Sequence, residues 1–192
     1  MENIYSLSEF HESLQQAVIE TLGRQEAQKV FSAILGSEVA DIENPIDTPI
    51  DLLQGISDVF SILYQPNTAR GLLLRIGDAV FPKLRRKIES LNDMGSIENR
   101  MQPLERKFES SMAQLAEILS SATGIPVEFD AREGDCYYLR VSDGSLRQYF
   151  FAGILRAFGD WLDSRRDYFA TVQPKQHETH PMQVCLCVRP AH

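Results

Sequence analysis

The spacing of apolar residues first changes along this chain at Gly124-Ile125-Pro126, and that change narrows the folds open to it. Before it, Leu104, Phe108, Met112, Leu115 and Leu119 recur every three or four residues, which places them on one helix face. After it, Val127-Glu128-Phe129 alternates, and Tyr137-Tyr138-Leu139-Arg140-Val141 alternates in part. Alternation is the period of a half-buried strand. The polar stretch Arg132-Glu133-Gly134-Asp135 between them predicts a hairpin turn. A helix follows over about 145–164, then strands near 168–173 and 183–188. This order predicts an α+β domain, with a helical N-terminal half packed on one face of a small antiparallel sheet of about four strands.

The helical half divides at its glycines and prolines. Leu7, Phe10, Leu14, Ala17, Val18 and Leu22 trace a first helix, with Ser6 and Glu9 as a capping box and Gly23 as the stop. Ala27, Val30, Phe31, Ile34 and Leu35 trace a second, ended by Gly36. Thr48-Pro49-Ile50-Asp51 is a helix start, since the hydroxyl can cap and proline suits the first turn. The helix it opens, Ile50 to Leu63, is apolar most of the way round, which predicts a central position. Another helix begins at Asn67 or Thr68 and carries Leu72, Leu73, Leu74, Ile76, Val80 and Phe81. Pro82 is expected to kink or split it. A turn is expected over Leu91 to Gly95. A length of 192 residues suits one domain, read as N-terminal helices over 1–65 and a core over 66–192.

A net charge of −8 argues against general nucleic-acid binding, which needs a basic face to neutralise phosphates. The one basic run, Lys83-Leu84-Arg85-Arg86-Lys87, reads as a solvated helix face or as a contact for an anionic surface. No apolar run is long enough to cross a bilayer, and the first residues lack a signal-peptide pattern. Three cysteines show no disulfide framework. The chain is therefore expected to be cytoplasmic and reduced. No Gly-x-Ser-x-Gly elbow and no phosphate-cradling glycine loop occur, so a non-enzymatic role is expected.

Two groups of residues remain as candidate sites. His177, His180, Cys185 and Cys187 offer imidazole and thiolate, the donors that suit zinc, and residues 185 and 187 share one face of a strand. The same cysteines also fit a buried apolar strand with no metal. The aromatic helix carries Phe150, Phe151, Gly153, Ile154 and Phe158, which read either as core or as the wall of an apolar pocket. Gly153 in mid-helix permits close approach by a ligand or by another helix, and Gly71 and Gly77 do the same upstream. Arg75, among leucines, is a candidate anchor for an anionic ligand end or a salt-bridge partner.

From about residue 66 onward the chain resembles the 4-vinyl reductase domain, a hydrocarbon-binding domain related in fold to small subunits of the TRAPP vesicle-tethering complex. Tyr149-Phe150-Phe151-Ala152-Gly153-Ile154-Leu155 resembles its aromatic-glycine helix, Tyr168 to Gln173 its next strand, and Cys185 its last-strand cysteine. His177 stands where the family often has another cysteine, and Pro181-Met182 replaces its usual Gly-Asp turn. Arg70 to Gly77 resembles the family's glycine-bearing central helix. The resemblance implies a sensor or carrier that binds a small hydrophobic or lipid-like ligand between the central helices and the sheet. Gly71, Arg75, Phe81, Phe150, Phe151, Gly153, Ile154 and Phe158 would line that site. It also admits a homodimeric assembly module and an accessory role in tetrapyrrole metabolism. The same superfamily includes haem nitric-oxide-binding domains, whose central helices Leu72 to Phe81 resembles. Those domains need a mid-chain histidine and a Tyr-x-Ser-x-Arg anchor. This chain has neither, so haem held in that manner is not expected.

Overall fold

The structure is a computed structural model that describes residues 7–36, 51–87, 104–142, 146–173 and 182–189. Five helices come first: α1 (Leu7–Leu22), α2 (Arg24–Leu35), α3 (Leu52–Leu63), α4 (Pro66–Lys87) and α5 (Leu104–Thr123). The hairpin β1 (Val127–Glu133) and β2 (Cys136–Val141) leads to α6 (Arg147–Leu162), and β3 (Tyr168–Gln173) and β4 (Met182–Val188) follow it. The sheet is antiparallel throughout, in the order β1-β2-β4-β3. The α+β class and the four strands agree with the sequence pattern.

Gly23 and Gly36 end the first two helices, and Gly36 adopts the left-handed conformation that glycine tolerates best. The change of period at residue 124 is built by a similar stop, with Gly124 at φ 68. The Ser120 hydroxyl then ties helix to strand. It accepts from the Val127 N–H at 2.8 Å and donates to the Val127 carbonyl at 2.9 Å. The aromatic ring of Phe108 on α5 stacks on Tyr137 and Tyr168, with centroids 4.9 and 5.4 Å away. Tyr137, Leu139, Val141, Tyr168, Val184 and Leu186 form the buried inner face of the sheet.

Three expectations need correction. The cap of α3 is Asp51, whose carboxylate accepts from the Gln54 N–H at 2.9 Å, and Thr48 lies outside the described residues. That helix is also not central. It buries Leu52, Leu53, Ile56 and Phe60, but its last turn leaves Ile62 81% and Leu63 52% exposed. Apolar residues all round a helix reflect an uncovered end here, not a core position. Finally, α4 runs from Pro66 to Lys87 without splitting at Pro82. The proline ring sits on the exposed side, where water can serve the carbonyl that loses its donor. The expected capping serine, Ser6, and the turn at 91–95 lie outside the described residues.

Candidate functional site

The central pair of helices is α4 and α6. Their crossing is set by two glycines. A Cβ on Gly77 would collide with the Phe150 carbonyl oxygen and sit 3.1 Å from the Ile154 nitrogen. A Cβ on Gly153 would collide with the Leu74 carbonyl oxygen and sit 2.8 Å from the Asp78 nitrogen. The helices therefore meet backbone to backbone, and only glycine at both positions allows it. On one flank Arg156 pairs with Asp78 at 2.8 Å. On the other, the Arg70 guanidinium lies 5.3 Å from the centre of the Tyr149 ring.

Around this seam the aromatic residues interlock. Phe81 meets Phe158 edge to face at 5.8 Å, and Phe150 meets Phe151 at 5.6 Å and Phe10 at 6.2 Å. Phe81, Phe150, Phe151, Ile154 and Phe158 are each no more than 2% exposed. Water reaches almost none of their surface, so among the described residues no open cavity adjoins them. Gly71 and Arg75 face outward on α4, and nothing stands within 4 Å of where a Gly71 Cβ would lie. The eight residues read from sequence as a ligand site thus divide into six in the closed interior and two at the surface. A groove formed by described residues lies on α2, lined by the polar Gln25, Gln28, Lys29 and Ser32.

The second candidate lies on the outer face of the sheet. Strand register sets Cys136 opposite Cys187 and Tyr138 opposite Cys185, so the four share one face. Cys136 and Cys187 are joined by a disulfide, with Cα atoms 4.1 Å apart. The Cys185 thiol is free and donates to the Cys187 sulfur at 3.0 Å. All three sulfurs lie within 4.8 Å of one another. Burial pushes the Cys185 thiol above its ordinary pKa, and a hydrogen bond with the Tyr138 hydroxyl offsets part of this. Burial likewise raises Tyr138, whose hydroxyl also bonds the Gln173 side chain on β3.

This corrects the expectation of a reduced chain with no disulfide. The pairing escapes a reading by spacing because β2 and β4 are neighbours only after the chain has passed through α6 and β3. Of the four metal-donor candidates, Cys187 is occupied by the disulfide and Cys185 remains a thiol. His177 and His180 lie outside the described residues. Cys136 and Tyr138 are the residues of the sheet site that the sequence does not assign to a site, whereas Gly77 at the seam is one of the glycines it reads as permitting close approach. A hydrophilic hairpin opening on a cysteine is the available signal for the first.

No protein-family model matches the chain, and no curated protein sequence matches it. Its fold is similar to that of solved H-NOX domains. A mutant H-NOX of T. tengcongensis is 9% identical, with 96% of this chain and 98% of that one covered and a TM-score of 0.59. An Fe(II) unliganded H-NOX mutant from K. algicida is 11% identical, covering 95% and 96%, with a TM-score of 0.59. An oxygen-binding H-NOX domain related to soluble guanylate cyclases is 9% identical, covering 93% and 92%, with a TM-score of 0.53. At such identities the likeness concerns the fold. It overturns the resemblance to the 4-vinyl reductase domain and TRAPP subunits, because these similar structures are all H-NOX domains.

Haem distortion has been probed in a further H-NOX structure of similar fold. The described residues of this chain do not fit a haem at the α4–α6 seam. The glycine crossing leaves no space for a macrocycle, and its aromatic walls are already in contact. The sequence has no histidine between His11 and His177. His11 itself is 5% exposed on α1, and burial holds its pKa below the ordinary 6.5.

Proposed function

We propose that the whole chain, 1–192, acts as one non-enzymatic sensor domain on the H-NOX fold, without haem. The observation that carries this reading is the end-to-end likeness to H-NOX domains, one of them an oxygen complex, over 93–96% of the chain. Its ligand is a small hydrophobic or lipid-like molecule, taken between the central helices and the sheet. Support comes from the apolar walls supplied by Phe81, Phe150, Phe151 and Phe158. Because that interior is closed, ligand entry must part α4 from α6. Binding would then be felt as movement along the Gly77–Gly153 seam, which is the output such a sensor needs.

Haemin titration followed in the Soret region tests the haem-free reading, and native mass spectrometry of freshly purified protein tests the ligand. We expect no one-to-one Soret complex and a retained small apolar mass. A sharp stoichiometric Soret band would sink the first part. Failure to retain any apolar molecule, with the seam unchanged, would leave an assembly module. That second reading is favoured by Ile62 and Leu63, exposed side by side at the end of α3. A concentration-dependent dimer, lost on Ile62→Ser, would establish it.

A further inference from the structure

The outer face of the sheet carries an arrangement that ligand sensing does not use. The disulfide Cys136–Cys187 bridges a sequence separation of 51 and fastens the start of β2 to the end of β4. A third sulfur, that of Cys185, stands 3.0 Å from Cys187. We propose that these three cysteines form a thiol relay, in which Cys185 displaces Cys136 as the disulfide partner of Cys187.

The step balances without any other reactant. The Cys185 thiol gives up its proton, and its electron pair forms a bond to the Cys187 sulfur. The Cys136–Cys187 bond breaks, and its pair leaves on the Cys136 sulfur, which takes up the proton. One disulfide and one thiol stand on each side. The geometry admits the product. The two sulfurs already stand 3.0 Å apart. Same-face neighbours on a strand have Cα atoms roughly 6.6 Å apart, the upper end of the span a disulfide bridges, so β4 must bend locally as the bond closes.

The two states differ in what they present. Cys185 is 1% exposed and Cys187 8%, whereas Cys136 is half-buried, beside the Gly134-Asp135 turn. Exchange thus converts a sealed thiol into one at the rim of the sheet, open to a soft electrophile or a small-molecule disulfide. It also converts a long-range cross-link into a local one. The Tyr138 hydroxyl and Glu133 are the titratable groups that act on Cys185, and Gln173 braces Tyr138 from β3. This inference rests on the sulfur geometry and is independent of the sensor reading.

The test is time-resolved alkylation of the folded, full-length protein, purified without reductant, with N-ethylmaleimide, followed by acid digestion and peptide mapping. We expect label to accumulate on Cys136, in step with an intact Cys185–Cys187 disulfide inside one peptide. Cys185→Ser should reduce Cys136 labelling at least tenfold while its circular dichroism stays native. Label confined to Cys185, or no label at all, would overturn the relay. So would three free thiols at the outset, or Cys136 labelling without the Cys185–Cys187 link. The mapping of the unaltered protein decides the matter even if the serine variant fails to fold.

Discussion

The seam between α4 and α6 and the outer face of the sheet handle close approach in opposite ways. At the seam, side chains are absent so that backbones can touch, and aromatic residues seal the flanks. On the sheet, three reactive side chains are brought together and one end of the cluster stays partly open. The first arrangement is packed closed, and the sensor reading requires it to open. The second holds one disulfide with a free thiol beside it, and the proposed relay would add a second covalent state.

The largest effect should come from the seam. Gly153→Ala pushes a methyl group into the Leu74 carbonyl, and Gly77→Ala does the same to that of Phe150. Each should cost about 3 kcal/mol, although alanine normally favours a helix by about 1 kcal/mol over glycine. Urea denaturation measures this. Both substitutions force the same separation, so the double variant should lose less than the sum of the two. Full additivity would mean that the helices do not meet there.

The disulfide comes next. Cys136→Ser removes a cross-link and should cost about 2–4 kcal/mol, with the loss reproduced by adding reductant to the unaltered protein. If reductant leaves the melting temperature where it was, the sheet does not depend on its sulfur chemistry and the contrast with the seam collapses.

These two regions also differ in how legible they are in the sequence. The change of period at Gly124 is enough for a hairpin, four strands and the α+β class, because burial on one face of a strand or helix imposes its own spacing. Gly153 points to a close approach, but a lone glycine does not say to what. Its partner, Gly77, lies on another helix, and only the crossing of α4 and α6 joins them. Cys136 carries still less local signal. Its meeting with Cys187 follows from the strand order β1-β2-β4-β3, a non-local pairing that no short window contains. The apolar girth of α3 misleads for a related reason. Hydropathy records what a helix end is made of, and Ile62 and Leu63 are uncovered all the same.

A smaller effect should appear on acidification. Burial lowers the pKa of His11, and the nearby Asp51 carboxylate offsets part of that shift. The unfolded imidazole protonates below about 6.5 while the folded one stays neutral, so the unfolded state binds more protons. Stability should therefore fall as pH drops from 6.5 toward the folded pKa, and this contribution should level off beneath it. One group can contribute a slope of at most about 1.4 kcal/mol per pH unit. His11→Gln should flatten that window. An unchanged pH profile would mean that some other group governs acid stability.

The smallest effect has the opposite sign and is the sharpest control on the seam. Gly71 lies on α4, as Gly77 does, but it faces solvent, with open space where a Cβ would go. Gly71→Ala should therefore return the ordinary helix preference, a gain of about 0.5–1 kcal/mol. Thermal melts of the two alanine variants, read side by side, separate helix propensity from helix contact within one element. A gain at Gly71 with a loss at Gly77 ties the cost to the approaching backbone of α6. A comparable loss at both would point to α4 itself as unable to accept alanine, and the glycine crossing would no longer explain the seam. If Gly71→Ala is stabilising yet abolishes retention of an apolar molecule, that position belongs to a ligand's path and the sensor reading gains its first entry point.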